Sequence, residues 1–398
     1  MAFPAGMTSS PHTDAVAPPV PFAAVAPATT LPTFGVEEEF LLLDRLSGLP
    51  LSCADAVLER AGCPGPRHPQ SALTREVLRC QVESATPICR SAAELETHLR
   101  SARRRLAAAA EAQGAVLAPV GAAPLGEPHA SITASDRYLA MHHVVPALLN
   151  EQLLDGMHVH VAVPSRAVGV DVVNRLRPRL HVLIALCANS PFWRGRDSGF
   201  ASWRTVHMQR WPVEGPPPLF EGVEDYERRV QTLLDSGVIM DRAMLYWHAR
   251  VSDRYPTVEV RVGDVALDAG TAVRCASLAR ALVTQALVEG SLSLPEPRPD
   301  PEAVRAAAWH AAHQGLGDRL LDLTPSGGGQ PRLRPASSLV LEVAEAACAT
   351  LPPGERDATL AGVQAVLDEG DGARRQRSAV RRGGMPGLLR LLRSSVTE

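Results

Sequence analysis

The sequence predicts an α+β fold built on a mainly antiparallel sheet, with carboxylates lining one sheet face and helices packed on the other. Three observations lead there. Short strand-like runs are interleaved with long helical ones from Thr33 to about Pro295. Four of those runs alternate apolar residues with Glu, His or Arg. Beyond a breaker at 294–301 (LPEPRPDP) the chain turns almost wholly helical, and strands and helices gathered in separate stretches favour α+β over a parallel α/β sheet.

Residues 1–33 are rich in Ala and Pro and carry no Lys or Arg, so they lack the positive start of a secretory signal and read as a disordered tail. Residues 34–398 read as one catalytic domain, with a sheet-bearing core over 34–295 and a helical part over 296–398. In 92–113 the residues Leu95, Leu99, Ala102, Leu106, Ala109 and Ala110 form one stripe, Arg100, Arg103 and Arg104 fall largely off it, and Gly114 supplies the stop. Helices are also expected over 168–188, kinked at Pro178, and over 270–289. A loop at about 190–222, rich in Pro and aromatics, is too long for an inert linker and is expected to cover a site. Helices at 302–322, 337–350 and 357–369 follow, joined by a flexible stretch from Ser326 to Pro335.

Composition narrows the function. The chain has 398 residues, 45% hydrophobic and 21% charged, with a net charge of -3. That balance gives no electrostatic case for nucleic acid, and no apolar run approaches the roughly 20 residues of a membrane span. The 7 cysteines are scattered and never spaced CxxC, which fits a reducing cytoplasm better than a disulfide framework. All 40 basic residues are Arg. A Walker lysine, a Schiff-base lysine and a carbamylated lysine are therefore excluded, and any bound phosphate must be met by Arg, backbone N–H groups or metal ions.

The chemistry lies in the four alternating strands. Successive side chains of a strand point to opposite faces. Glu37 and Glu39 therefore share a face, as do Gln81 and Glu83, His158 and His160, and Glu259 and Arg261, each pair set against apolar neighbours. A solvated outer face also alternates, but it is usually rich in Thr, Ser, Lys and Gln, whereas these strands offer Glu, His and Arg. Carboxylates gathered in this way repel unless cations lie between them. Oxygen ligands suit Mg²⁺, and the histidines admit Mn²⁺.

The same residues carry a family resemblance. Phe34-Gly-Val-Glu-Glu-Glu-Phe-Leu-Leu-Leu-Asp44, Gln81-Val-Glu-Ser-Ala-Thr86, Asp155-Gly-Met-His-Val-His-Val161 and Val258-Glu-Val-Arg-Val-Gly-Asp264 resemble segments of the type 2 glutamate–cysteine ligases, bacterial carboxylate–amine ligases. So do the loop from Ala188 to Arg204, Arg210-Trp-Pro212 and the tail Gly370-Asp-Gly-Ala-Arg-Arg-Gln-Arg377. The resemblance runs in order from about Phe34 to Leu392. It implies a glutamine-synthetase-like sheet holding ATP and divalent metals, on which ATP phosphorylates a substrate carboxylate and an amine attacks the acyl phosphate. By match, Glu37, Glu39, Glu83 and Glu259 would be metal ligands with His158 beside them. Glu76 would join them, although strict alternation counted back from Glu83 puts it on the opposite face. Arg261, with Arg196 or Arg204 from the loop, would grip the carboxylate or the transferring phosphoryl group. His160, Trp309 and Arg377 would help hold the nucleotide. The implied partners are a small carboxylic acid and an amine; a homodimer would be usual for such an enzyme.

The chain departs from the family pattern in its second layer. It reads Gly121-Ala122-Ala123-Pro124 where the family has Gly-Thr-His-Pro, and it has His310 and His313 after Trp309 where the family favours Arg. Ala306, Ala307 and Ala308 stand at preceding positions that are polar in the family. Two alternatives follow: a catalytically weakened relative that binds a small ligand or partner, and a metal-dependent hydrolase suggested by His158-x-His160. The second is disfavoured because the common amidohydrolase arrangement needs a bridging Lys.

Overall fold

The computed structural model describes residues 31–62, 72–126, 131–323 and 330–398. The expected Ala/Pro-rich tail falls almost wholly outside the described residues. The strands, in chain order, are β1 (Phe34–Asp44), β2 (Ala72–Arg75), β3 (Gln81–Ala85), β4 (Ala115–Ala118), β5 (Gly156–Ala162), β6 (Phe192–Trp193), β7 (Arg196–Asp197), β8 (Ala249–Val251), β9 (Thr257–Asp264), β10 (Arg319–Asp322) and β11 (Arg332–Pro335). The helices are α1 (Ala54–Ala61), α2 (Ala92–Glu111), α3 (Asp136–Val144), α4 (Pro146–Asn150), α5 (Arg166–Leu176), α6 (Leu180–Leu186), α7 (Trp203–Met208), α8 (Val223–Asp235), α9 (Ala269–Ser291), α10 (Pro301–Gln314), α11 (Ala336–Cys348), α12 (Pro353–Glu369) and α13 (Gly372–Ser395).

A seven-stranded sheet organises the molecule, in the order β2-β3-β1-β5-β9-β8 with β4 also paired to β1. Its ladders are antiparallel, so the α+β expectation holds. The long β1 is the hub. Its first half pairs with β5, and from Leu41 onward it pairs with β4 on the edge that β5 has left, while β3 lies along the other edge. Valines, leucines and Phe40 cover one face and pack on the long helices α2 and α9.

Several expectations need correction. Arg103 is not on the solvent side of α2; it is fully buried. Its guanidinium grips Glu38 of β1, with Nε 3.0 Å from Oε2 and Nη2 2.5 Å from Oε1, and Nη2 also donates to Ala266 O at 2.8 Å. Glu38 does lie on the apolar face, as alternation requires, and it is tolerated there only because Arg103 meets it. Pro178 does more than kink 168–188: it ends one helix and a second begins at Leu180, since proline lacks the N–H and crowds the preceding turn. The helix expected over 302–322 stops at Gln314, where Gly315 turns out at φ 56, and Arg319–Asp322 is instead a strand. That strand pairs with Arg332–Pro335, within the stretch expected to be flexible; the start of that stretch is outside the described residues. Arg334 fixes the pairing by contacting both Asp322 and Glu342.

Breaking a buried ion pair leaves an uncompensated charge, which costs about 3–5 kcal/mol. Glu38→Gln is therefore expected to lower the urea-unfolding free energy by that amount. A loss below about 1 kcal/mol would mean that the pair does not hold β1 to α2.

Candidate active site

The face of the sheet opposite α2 and α9 collects the chemistry. Register does the work. Glu39 of β1 sits directly across from Glu83 of β3, and Glu37 across from His158 of β5. His160 is opposite Glu259 of β9, and Glu259 is in turn opposite Arg250 of β8. An irregularity between Met157 and Val159 shifts the β5–β9 register and brings Arg261 beside His158, with 3.5 Å between Arg261 Nη1 and His158 Nδ1.

The two sides of this face differ in charge. On the β9 side, anions and cations alternate. His158 Nδ1 lies 3.3 Å from Glu37 Oε2, and His160 Nε2 lies 3.3 Å from Glu37 Oε1. Arg250 Nε is 2.8 Å from Glu259 Oε2, and Arg261 contacts the other oxygen. Burial would raise Glu259, but Arg250, Arg261 and the two imidazoles outweigh it and hold the carboxyl well below its ordinary range. Burial is likewise outweighed at Glu37 by His160 and His158. On the β3 side the relief is smaller: among the described residues Arg137 and Arg261 act on Glu76 without outweighing its burial and its anionic neighbour, and no guanidinium pairs with Glu83. Burial, then Glu37, Glu76 and Glu39, push Glu83 well up. Burial and Glu39 push Glu76 up to about 7. The neutral neighbours there are Thr74 Oγ1, 3.4 Å from Glu83 Oε1, and the Tyr138 hydroxyl, 3.5 Å from Glu76 Oε2.

Two observations bear on cation binding. Glu37, His160 and Glu259 each offer a ligand atom, and these atoms lie within 4.8 Å of one another. His158 Nε2 and His160 Nε2 are buried without a hydrogen-bond partner, although His160 Nε2 is close to Glu37. Orphaned imidazole nitrogens aimed among carboxylates fit a divalent cation, and so do crowded oxygens. The donor set therefore suits Mg²⁺ or Mn²⁺.

The loop from Ala188 to Arg204 is fastened to this face. Asp264, at the end of β9, accepts from Asn189 N (2.7 Å), Ser190 Oγ (2.7 Å) and Ser202 Oγ (2.8 Å). α7 then places Arg204 over the start of β5, where its Nη2 donates to Arg261 O at 3.2 Å. Gly156 leaves room for it: a Cβ there would collide with the Arg204 guanidinium. Gly156 N meanwhile donates to Glu39 Oε2 at 2.5 Å.

The structure thus brings together Glu37, Glu39, Glu83, Glu259, His158, His160, Arg261 and Arg204. It does not bring Arg196, Arg377 or Trp309 to that face. Arg196 stands exposed on the separate β6–β7 hairpin. Arg377 contacts Asp197 and donates to Phe200 O at 2.9 Å, bracing the loop from behind. Trp309 stacks on His313, with centroids 5.3 Å apart, and meets Phe200 edge-on. Glu76 does reach the carboxylates, as the resemblance implies; the alternation count from Glu83 fails because Val77–Cys80 form a turn after β2. Counted on from Thr74, which β2 sets opposite Glu83, Glu76 just past the strand end falls on the carboxylate face. Arg250 was missed, yet Ala249-Arg250-Val251 carries the same period as its neighbours.

Comparison with known proteins agrees with this geometry. Residues 33–392 match the sequence model of glutamate–cysteine ligase family 2. The chain belongs to that family. A protein of Salinispora tropica provisionally named glutamate–cysteine ligase 2 is 41% identical over 364 residues, covering 90% of this chain and 94% of its own. A Rhodococcus jostii relative, provisionally named glutamate–cysteine ligase 2-1, is 40% identical over 352 residues, covering 88% and 92%. Among solved structures, the fold is similar to a glutamate–cysteine ligase of Francisella tularensis in complex with AMP, with a TM-score of 0.67 and 13% identity over 92% of this chain and 88% of that one.

The β3-side carboxylates make metal-free stability depend on pH. Glu76 in the folded chain binds its proton more tightly than in the unfolded one, its value raised from 4.5 to about 7. Its contribution is full below about 4.5 and is lost as pH rises through about 7. In EDTA, the melting temperature of the wild type relative to Glu76→Gln should fall between about pH 5 and 8. A difference that stays level across that window would show that Glu76 is not crowded by anions.

Proposed function

We propose that this protein is an ATP-dependent carboxylate–amine ligase of the glutamate–cysteine ligase type. One observation carries the proposal: carboxylates from β1, β3 and β9 converge with the His158 and His160 imidazoles on a single sheet face. The family membership supports it. In this reading the γ-phosphoryl group of ATP passes to a substrate carboxylate oxygen, ADP leaves, and an amine nitrogen displaces phosphate from the acyl carbon, losing a proton as the amide forms.

Glu37, His160 and Glu259 would hold one divalent cation, with His158 beside them. Glu39 and Glu83, joined by Glu76, would hold another. The need for a cation is greater on the Glu83 side, because Glu259 already has two arginines and Glu83 has none. Bound there, Mg²⁺ or Mn²⁺ would supply neutralisation of phosphate charge. The protein's own contribution is placement. Arg261 and Arg204 present guanidinium forks suited to carboxylate and phosphoryl oxygens, and rigid strands fix the donors before charge develops. Six described cysteines are free thiols, which supports a cytoplasmic location. No helix of the described residues is long and apolar enough to cross a membrane.

Incubation with Mg-ATP, glutamate and a panel of small amines should release ADP and form an amide in equal amounts. Glu83→Gln should lower kcat by about 100-fold or more. No ADP release with any acid–amine pair, together with no metal-dependent nucleotide binding, would sink the reading.

A second reading, a catalytically weakened relative, draws on His310 and His313. His313 is packed between Trp309 and Phe200, behind the loop rather than on the carboxylate face. A double His310→Arg, His313→Arg variant should raise ATP turnover by about tenfold or more if those positions limit phosphate binding. Unchanged turnover removes the support for that reading.

A further inference from the structure

The chain from Asp371 onward packs an unusual density of cations into one helix. Asp371 caps α13, accepting from Arg374 N and Leu316 N at 2.8 Å each. Arg374, Ser378, Arg381 and Arg382 then recur at spacings of four, seven and eight, so they share one stripe of the helix. Gly383 and Gly384 leave helical geometry and kink the helix, and Leu391 beyond the kink lines the same cleft as the stripe. Between them lies a cleft of about 450 Å³ lined by Arg374, Arg375, Arg377, Ser378, Arg381 and Arg382.

Charge in the cleft is not balanced. Arg375 is met by Asp268 at 2.6 Å, and Arg377 by Asp197 at 2.7 Å. Arg382 reaches only the Ser378 hydroxyl, 2.6 Å away. Arg374 is near enough to the Asp371 carboxylate to act on it, but that carboxylate already accepts from Arg374 N and Leu316 N, and Arg381 makes no carboxylate ion pair among the described residues. The carboxylate in the lining, Glu369, is engaged by Arg274 at 2.9 Å. The cleft also lies apart from the catalytic face. Arg375 binds Asp268, the N-cap of α9, and α9 packs against the apolar side of the sheet, away from Glu37.

We propose that this cleft binds a small anion carrying two or more linked phosphates, the chemistry shared by inorganic triphosphate and the tail of a metal-free nucleotide. Guanidinium forks match phosphate oxygens in pairs, and the volume suits a small ligand. A single phosphate carries too little charge for so many arginines. Leu391 is the lone apolar side chain in the lining, so recognition rests on the phosphate chain rather than on a stacked base. The cations converge on one cleft instead of running along an extended basic surface of the kind a nucleic acid needs.

The test is calorimetric titration of the full-length protein with inorganic triphosphate in EDTA, which keeps cations off the carboxylate face. Expected are one site per chain, weakening with added salt, and an affinity about tenfold or more lower for an R381Q/R382Q double variant with an unchanged melting temperature. E83Q should bind triphosphate as the wild type does, so failure of the ligase reading leaves this result standing. Free ADP that displaces triphosphate assigns the site to nucleotides; ADP that fails to displace it assigns the site to inorganic chains. The proposal is overturned if the wild type does not bind, if R381Q/R382Q binds equally well, if orthophosphate binds as tightly as triphosphate, or if E83Q abolishes binding.

Discussion

Mutual repulsion among Glu37, Glu39, Glu76, Glu83 and Glu259 is the constraint around which this molecule is built. Strand neighbours in an antiparallel sheet stand about 4.5–5.5 Å apart, so the register of β1 with β3 sets Glu39 against Glu83, while that with β5 sets Glu37 against His158. The β9 side answers with Arg250, Arg261 and two imidazoles. On the β3 side, among the described residues, Thr74 and Tyr138 offer neutral hydroxyls, and Arg137 and Arg261 act on Glu76 too weakly to offset its burial and its anionic neighbour. There proton binding relieves the repulsion, which is why Glu76 and Glu83 are both pushed up.

The opposite face makes this strain bearable. Phe40, Leu42 and Val82 are buried together with Leu106 of α2, and apolar burial at about 25 cal/mol per Å² offsets much unfavourable charge. Glu38 is the informative exception. One residue of the Glu-Glu-Glu run points into this core, and Arg103 meets it with two hydrogen bonds while also capping backbone carbonyls that lead into α9. β1 is thus clamped from behind at the point where its front carries Glu37 and Glu39.

Much of the face could be read from the chain, because period-two alternation is a local property and the strands bearing Glu37, Glu39, Glu83, His158, His160, Glu259 and Arg261 are regular. Legibility ended wherever the local rule met a turn or a partner. For Glu76 the alternation count from Glu83 pointed the wrong way, against the family match, because parity does not survive the Val77–Cys80 turn. Arg103 read as solvent-facing because its partner lies 65 positions away. Arg196 and Arg204 looked equivalent in the loop, and only the bonds of Asp264 to Ser190 and Ser202 decided which was carried to the sheet. Arg377 lies in the tail segment that resembles the family and Trp309 in the helix that departs from it, and Asp197 and Phe200 hold them on the outer side of the loop.

The sequence by itself determined which residue types share a strand face, where α2 and α9 run and which family the chain resembles, since these follow from local periodicity and ordered motifs. The tertiary structure alone decided how those strands align, which side of the carboxylate cluster has less counter-charge, and that the α13 arginines close into a cleft. Alignment between strands and the kinking of a helix at Gly383–Gly384 depend on contacts between distant segments, and Coulomb energies depend on those separations rather than on sequence distance.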